Sequence, residues 1–397
     1  MNKEILRLKD VCEINGGYAF KSSNFNNKGI NIIRIGDIYD NRVNISESTV
    51  SIDANINDYS KFIISKGDIL VALSGATTGK YGIYDYNEKS LLNQRVAKIK
   101  PNEKVKNKYL YHYMNKLQNN IYDSALGCAQ PNISPSEIGE MNIYVPNIYI
   151  QEKVIAILDK SQELINKRKA QIEALDELVK SQFIEMFGNP SINNRGWIED
   201  RLSTVVTKIE NGKSFVCESF NRSNDYPAIL KLSAVTYGIY NANENKALTD
   251  ESLFISDVEV KGGDLLFTRK NTPELVGMSA FVYDTEPNLM MPDLIFRFVT
   301  NENINKIYLW KLINHSLFRE KVKALSNGSA KSMSNISKQR LMELNIPMPP
   351  IELQNQFADF VKQTDKLKFE MEKSLKELED NFNSLMQKAF NGQLFNK

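Results

Sequence analysis

The sequence predicts an α+β fold: two globular α/β domains, related by a pseudo-two-fold axis and separated by a pair of long antiparallel coiled-coil helices. Three observations predict it. The first is an internal repeat. Asn132-Ile133-Ser134 returns as Asn335-Ile336-Ser337, 203 residues later. Without a gap, the same offset carries Pro146 onto Pro349, Gln151 onto Gln354, Leu175 onto Leu378, Ser181 onto Ser384 and Phe187 onto Phe390. Upstream, with small gaps, Gly67-Asp68-Ile69-Leu70 matches Gly263-Asp264-Leu265-Leu266, and Gly17 with Phe20 matches Gly212 with Phe215. A repeat of about 200 residues is too long for a solenoid unit, so a whole module is used twice. The second observation is a run of short strand and turn signals in each module. The third is a matched heptad stripe that closes each module.

The strands come first in each repeat. Ile30 to Ile38, with Arg34 inside, and Ala228 to Val235, with Lys231 at the matching place, read as buried strands. Ile69 to Leu73 and Leu265 to Phe267 follow Gly-Asp turns, a strand-start signal. Val96 to Ile99 and Leu294 to Val299 form another matched pair, followed by short helices at Lys108 to Gln118 and Lys306 to Leu317. The long helices then begin after Pro146 and after the Pro347/Pro349/Pro350 cluster, and stop near Gly188-Asn189-Pro190 and Asn391-Gly392. In the second, Met371, Leu375, Leu378, Phe382, Leu385 and Ala389 alternate steps of four and three. The first has Arg168, Ile172, Leu175, Val179, Gln182 and Met186 in the same phase, with Arg168 and Gln182 as imperfections. Neither helix can bury its stripe alone, so they are expected to pack on each other. Equivalent positions in a two-fold pair make them antiparallel. At about 1.5 Å per residue, 36–40 residues span roughly 55–60 Å, a ruler between two reading heads.

Composition is that of an ordinary globular protein, 42% hydrophobic and 25% charged over 397 residues. Each module is long enough for its own core. The first residues show no apolar signal-peptide core, and no apolar run approaches the ~18–20 residues of a membrane span. Cys12, Cys128 and Cys217 are scattered without metal-ligand spacing, which suggests reduced thiols in a cytoplasm. The formal net charge is +2. Each helical segment, 149–187 and 352–397, carries one net negative charge, so the globular parts share four positive ones. That mild bias fits local phosphate contacts and argues against wrapping of DNA by charge alone.

Several strings carry candidate chemistry. Ser74-Gly75-Ala76-Thr77-Thr78-Gly79-Lys80 leaves a strand and looks like a phosphate loop, but has three residues between its glycines and Tyr81 after the lysine; nucleotide binding is rejected. The second module has Thr268-Arg269-Lys270-Asn271-Thr272 at the same strand exit. A loop that differs between two copies of one scaffold is where two DNA sequences would be read. Candidate DNA contacts are Ser74, Thr77, Thr78 and Lys80 in the first loop and Thr268, Arg269, Lys270 and Asn271 in the second. Asn93-Gln94-Arg95, opposite Pro292-Asp293-Leu294, is a second reader cluster. Lys21 and Lys213 follow the matched glycine turns, and Arg34 and Lys231 await either an internal ion pair or a phosphate. An ordinary solvated turn or a surface lysine is the bland reading of each. His112 and His315 do not align between the copies and read as structural or surface residues. Pro292-Asp293 could open a nuclease carboxylate motif, but no Glu-x-Lys follows on a strand. No methyltransferase glycine loop and no Asn/Asp-Pro-Pro-aromatic tetrad is visible.

Taken together, Lys66 to Leu70, Gly75 to Lys80, Asn93-Gln94-Arg95, Pro146 to Lys153, Pro349 to Gln356, and the helix ends Phe187-Gly188 and Phe390-Asn391-Gly392 resemble the specificity subunit of type I restriction–modification enzymes, over the whole chain. The resemblance implies target-recognition domains at 1–148 and 191–350 and spacer helices at 149–190 and 351–397. It implies a non-catalytic cytoplasmic subunit that reads a bipartite, asymmetric site on double-stranded DNA. It would dock two modification subunits, which methylate adenine N6, and restriction subunits. S-adenosylmethionine, ATP and Mg2+ would belong to those partners, with no cofactor in this chain and no membrane contact. A fused or type IIB-like enzyme and a coiled-coil adaptor without DNA binding are the alternatives.

Overall fold

A computed structural model describes residues 4–126, 131–223, 226–326 and 333–395. Cys128 lies outside them. The chain divides into two units, 1–169 with 373–397, and 170–372. The long helices, Ile148–Phe187 and Ile351–Phe390, are not units of their own, for each gives one part to either unit.

In the first unit, an antiparallel sheet core runs in the order Cys12–Gly16, Val96–Pro101, Ile69–Ala72, Tyr81–Ile83. In the second unit the corresponding order is Val206–Asn211, Ile295–Thr300, Leu265–Thr268, Ser279–Phe281. The Gly-Asp signal starts the third-named strand in each. Gly67 and Gly263 have φ of +92° and +87°, a conformation that costs glycine nothing. Asp68 and Asp264 then close the turn, accepting from the Ser65 and Lys261 N–H groups at 2.8 and 2.9 Å. A second small sheet in each unit adds a parallel pair, Ile30–Ile33 beside Ser90–Leu92 and Ala228–Leu230 beside Leu289–Met290.

The predicted strands Ile30 to Ile38 and Ala228 to Val235 are shorter than expected. The first stops at Ile33, and a 3-10 turn over Ile35–Asp37 follows. The second stops at Leu230, ahead of a helical turn over Ser233–Thr236. Arg34 and Lys231 are therefore just past strand ends and not inside strands. Asp37 is the physical reason in the first case: its carboxylate accepts the Arg34 N–H at 2.7 Å and turns the chain. Burial pushes the Asp37 carboxyl up, opposed by the bonds from the Arg34 N–H and the Thr49 hydroxyl and by the Arg34 charge. The helix after the sheet is longer than expected in the first unit, Asn107–Ala125, and shorter in the second, Lys306–Asn314.

The repeat becomes intelligible at the cores. In the first unit, Val71 and Ile99 of the sheet and Tyr109, Leu110 and Tyr113 of the helix pack with Val154 and Leu158 from the start of the first long helix. Met386, Ala389 and Phe390, from the end of the second, complete that core. In the second unit, Phe267, Phe298, Tyr308 and Leu312 pack with Phe357, Ala358 and Val361, and Val179, Phe183 and Phe187 of the first helix complete it. Each module is closed by the helix end of the other. The repeat-matched Phe187 and Phe390 do this with their rings 4.8 Å from Tyr308 and from Tyr113. The two helices run antiparallel within each unit: Asp176 pairs with Lys368 in the second, and Lys169 with Glu379 in the first. In the expected stripe, Val179 and Ala389 are buried, and Ile172, Leu175, Leu375, Leu378 and Phe382 are half-buried. Both helices stop at a glycine of positive φ, Gly188 at +78° and Gly392 at +65°.

Matched polar residues lock these joints. Gln151 is fully buried; it donates to the Lys104 and Pro146 carbonyls and accepts the Lys106 N–H, each at 2.8 Å. Gln354, also fully buried, donates to the Pro349 carbonyl at 2.8 Å and accepts the Asn305 N–H at 2.9 Å. Tyr109 and Tyr308 donate to the Tyr144 and Pro347 carbonyls, both at 2.8 Å. Buried backbone groups at helix starts need such partners.

Candidate nucleic-acid interface

One end of each sheet gathers most of the candidate residues. In the first unit the chain leaves the strand Cys12–Gly16 at Gly17. A Cβ there would lie 2.1 Å from the Asn93 carbonyl oxygen, so only glycine permits this approach. The Tyr18 N–H donates to the Leu92 carbonyl at 2.8 Å, and the Gln94 N–H donates to the Tyr18 carbonyl at 2.9 Å. The Leu73 N–H donates to the Arg95 carbonyl at 2.9 Å, which brings in the loop after the strand Ile69–Ala72. The Asn93 N–H donates to the Ile33 carbonyl at 3.2 Å, which adds the Arg34 turn. Four segments distant in sequence thus share one rim.

The second unit repeats most of this rim, although Pro292, in the place of Asn93, has no N–H to join the segment before Lys231. A Cβ on Gly212 would lie 2.2 Å from the Met291 and Pro292 carbonyl oxygens. The Lys213 N–H donates to the Met291 carbonyl, and the Arg269 N–H to the Leu294 carbonyl. The repeated Asn-Ile-Ser string supplies the last segment. Asn132 bridges Ser74, and Asn335 pairs with Lys270. The Ile133 and Ile336 N–H groups donate to the Leu73 and Arg269 carbonyls at 2.9 and 2.8 Å. Ser134 and Ser337 cap the helical turns that follow.

The candidates divide by exposure. Lys21, Lys80, Gln94, Arg95 and Lys213 are exposed, as free cations or amides should be to meet a nucleic acid. Arg34, Ser74, Thr77, Lys231, Arg269 and Lys270 are half-buried. Arg34 donates from its guanidinium to the Ser48 carbonyl at 3.0 Å, while its Nε and the Ser74 hydroxyl are buried without a hydrogen-bond partner. Lys231 is turned to Asn221 Oδ1 at 2.7 Å. Neither Arg34 nor Lys231 forms an ion pair among the described residues. The Arg269 guanidinium lies over the Phe296 ring at 5.2 Å, with its Nε on Asn335 Oδ1 at 3.3 Å.

Thr78, Asn93, Thr268 and Asn271 are buried, and here the sequence expectation of a contact surface is corrected. Thr78 donates to the Gly75 carbonyl at 2.7 Å and holds the loop together. Asn93 accepts the Arg95 N–H and presents Gln94 and Arg95. Thr268 is the last residue of its strand, fully buried, and accepts the Met278 N–H at 3.0 Å. Asn271 donates to the Thr236 hydroxyl at 3.0 Å. These four are framework.

The glycine loop is a hairpin. Gly79 N–H and Lys80 carbonyl both bond Ala72, and a 3-10 turn spans Gly75–Thr77. No α-helix starts there, so the helix N-terminus that a phosphate loop needs is missing. Both histidines are buried. His112 meets a carboxylate, Asp159 at 2.8 Å, because the long helix brings together residues distant in sequence. Among the described residues no cluster of three or more His, Cys, Asp or Glu could hold a metal. Burial pushes the Cys12 thiol up to about 12, which leaves it an inert core residue.

Sequence reasoning missed Tyr18, 42% exposed on the rim, and Ser214, which bonds Asp293. The visible signal was position: each stands one or two residues after a matched glycine.

Comparisons with known proteins give the family and the fold. The family model of the type I restriction modification DNA specificity domain matches residues 2–174 and 194–380. The chain belongs to that family. The specificity subunit of the putative type I restriction enzyme MjaX of Methanocaldococcus jannaschii is 23% identical, over 92% of this chain and 87% of its own length. The EcoEI specificity subunit of Escherichia coli is 32% identical over 44% of this chain, a match that spans only 30% of the EcoEI subunit. Among solved structures, the S subunit from M. genitalium covers 98% of this chain and 96% of its own, at 15% identity and a TM-score of 0.59. A second chain, solved for complex assembly and conformational transition of the type I R-M system, covers 98% of both at 18% identity and a TM-score of 0.58. At these identities the likeness is one of fold.

Proposed function

We propose that this chain is the non-catalytic specificity subunit of a type I restriction–modification complex. Each unit reads one half of a bipartite, asymmetric DNA site through its rim. The observation that carries this is the rim itself: one backbone frame built twice, with different side chains exposed on it. A scaffold kept for packing alone would have no reason to gather Lys21, Gln94, Arg95 and Lys80 in one module, and Lys213, Arg269 and Lys270 in the other, at the same strand ends. Phosphate contacts would come from the exposed lysines, and base contacts from Gln94, Arg95 and Arg269.

The partners are two modification subunits and restriction subunits. S-adenosylmethionine chemistry belongs to the first, and ATP and Mg2+ to the second. The site of action is the cytoplasm. No helix among the described residues is long and apolar enough to cross a membrane. The test is a map of N6-methyladenine in cells carrying this gene with its modification subunit, against cells lacking only this gene. A new motif of two short halves around a fixed gap is the expected result. No gene-dependent motif, with the partner expressed, would favour the adaptor. Methyl transfer by the purified chain alone would instead mean a fused or type IIB-like enzyme.

A further inference from the structure

Asp293 stands out on the second rim because it is a carboxylate among cations. Its place is fixed by the repeat. Gly17 packs on the Leu92 and Asn93 carbonyls, and Gly212 on those of Met291 and Pro292. Asp293 therefore occupies the position that Gln94 holds in the first unit, just before the matched strand, and both side chains are exposed.

The carboxylate is oriented as well as exposed. The Ser214 hydroxyl donates to Asp293 Oδ1, and the Asp293 N–H donates back to the Ser214 hydroxyl at 3.2 Å. The pair restricts the Asp293 side chain, while Oδ2 keeps its acceptor capacity. Lys213 precedes Ser214 in the chain, and Arg269 is bonded to Leu294, the next residue. Yet Asp293 forms no ion pair among the described residues. A fixed carboxylate on a surface that meets phosphates weakens binding to any DNA, since it adds like-charge repulsion. It gains only where a hydrogen-bond donor faces it. In the major groove the donors are exocyclic amino groups, and a carboxylate acceptor matches that of cytosine N4. Gln94, an amide, can both donate and accept at the same place in the other unit, so it does not share this restriction.

We propose that Asp293 is a specificity-determining residue: it accepts a hydrogen bond from a cytosine amino group and imposes a G·C pair at one position of the half-site read by the second unit. Ser214 is its positioning residue. The inference rests on the DNA-reading function above.

The test is the methylation map of cells with the intact complex, carrying either the wild-type chain or Asp293→Asn. Asparagine keeps the shape but adds a donor. One G·C position in one half-site should relax, with discrimination falling roughly ten- to hundredfold, while the other half-site stays unchanged. Ser214→Ala should weaken fidelity at that same position by less, which a merely structural pair would not do. An unchanged motif in Asp293→Asn, or a uniform loss of methylation at every site with the motif intact, overturns the proposal. So does relaxation at an A·T position. If Asp293→Asn failed to fold, Ser214→Ala would decide alone, and an unaltered motif there would overturn it. Absence of any motif with the wild-type chain is the separate failure of the parent function.

Discussion

The two units solve one problem with different cations. In the first, Lys98 ties the Gly-Asp turn to its neighbouring strand: its ammonium donates to the Ile63 carbonyl at 2.7 Å and stands 3.7 Å from Asp68. At the same place in the second unit is Arg297. Its fork reaches Glu210 at 2.6 Å, Asp264 at 3.1 Å and the Glu259 and Asp257 carbonyls at 2.7 Å. With Glu210 facing it where Asn15 faces Lys98, the arginine forms a junction of four groups, because a planar guanidinium has five fixed donors and an ammonium three on a flexible stem. The difference teaches that the repeat conserves where a tether is needed while leaving its chemistry free. The rims follow the same rule, with Gln94 and Asp293 at equivalent places beside the matched glycines.

The comparison is broken most severely at the crossed closure of the cores. Phe390→Ala should destabilise the first unit by about 3–5 kcal/mol, although the residue lies at the far end of the second repeat. Phe187→Ala should do the same to the second unit. Hydrogen exchange resolved by segment checks it. Loss of protection in 351–372 in place of 96–125 for Phe390→Ala would refute the exchange of helix ends. Both tryptophans, Trp197 and Trp310, lie in the second unit, so their fluorescence follows that unit alone.

A smaller contrast separates the tethers. Arg297→Ala takes the guanidinium from Asp264 and from Glu210, which keeps only the exposed Lys208, and should cost about 3 kcal/mol; Lys98→Ala takes the ammonium from Asp68 alone and should cost about 1–2 kcal/mol. Urea titration of each variant measures both. Equal losses would mean that the extra bonds of Arg297 add nothing net.

The smallest expected effect is on pH. Burial lowers the pKa of His112, against the opposing hydrogen bond and charge of Asp159 and with a minor contribution from Lys108. Burial also lowers that of His315, helped by Lys180. A histidine whose folded pKa lies below its unfolded value of about 6.5 binds its proton more readily in the unfolded chain. Stability is therefore fullest above pH 6.5 and declines as pH falls from there toward the folded pKa. His315→Gln should flatten that decline for the second unit, as read by tryptophan fluorescence in urea at pH 7.5 and 5.5. An unaltered slope would mean that His315 does not contribute to it.

Much of the fold was legible in the sequence because its signals are local. The Gly-Asp turns need positive φ at Gly67 and Gly263, and glycine, which adopts it without strain, stands at both. The long helices carry a 3.5-residue period over five turns and end at glycines, so their limits were readable to within a residue or two. The repeat revealed that one module is used twice, and the resemblance of its strings led to the right family. The strand lengths around Arg34 and Lys231 were not legible, since an apolar run reads as strand whether or not an aspartate three residues on turns the chain. Nor were the roles of the candidate residues. Thr78, Asn93, Thr268 and Asn271 have the same polar character as true surface readers. Only the backbone carbonyls and amides that they meet, brought close by strands distant in sequence, make them framework. Composition and spacing fix what a side chain can do along its own segment. Which face it occupies, and what it touches there, is decided when segments distant in sequence pack into one rim and each core waits for the other repeat's helix to close it.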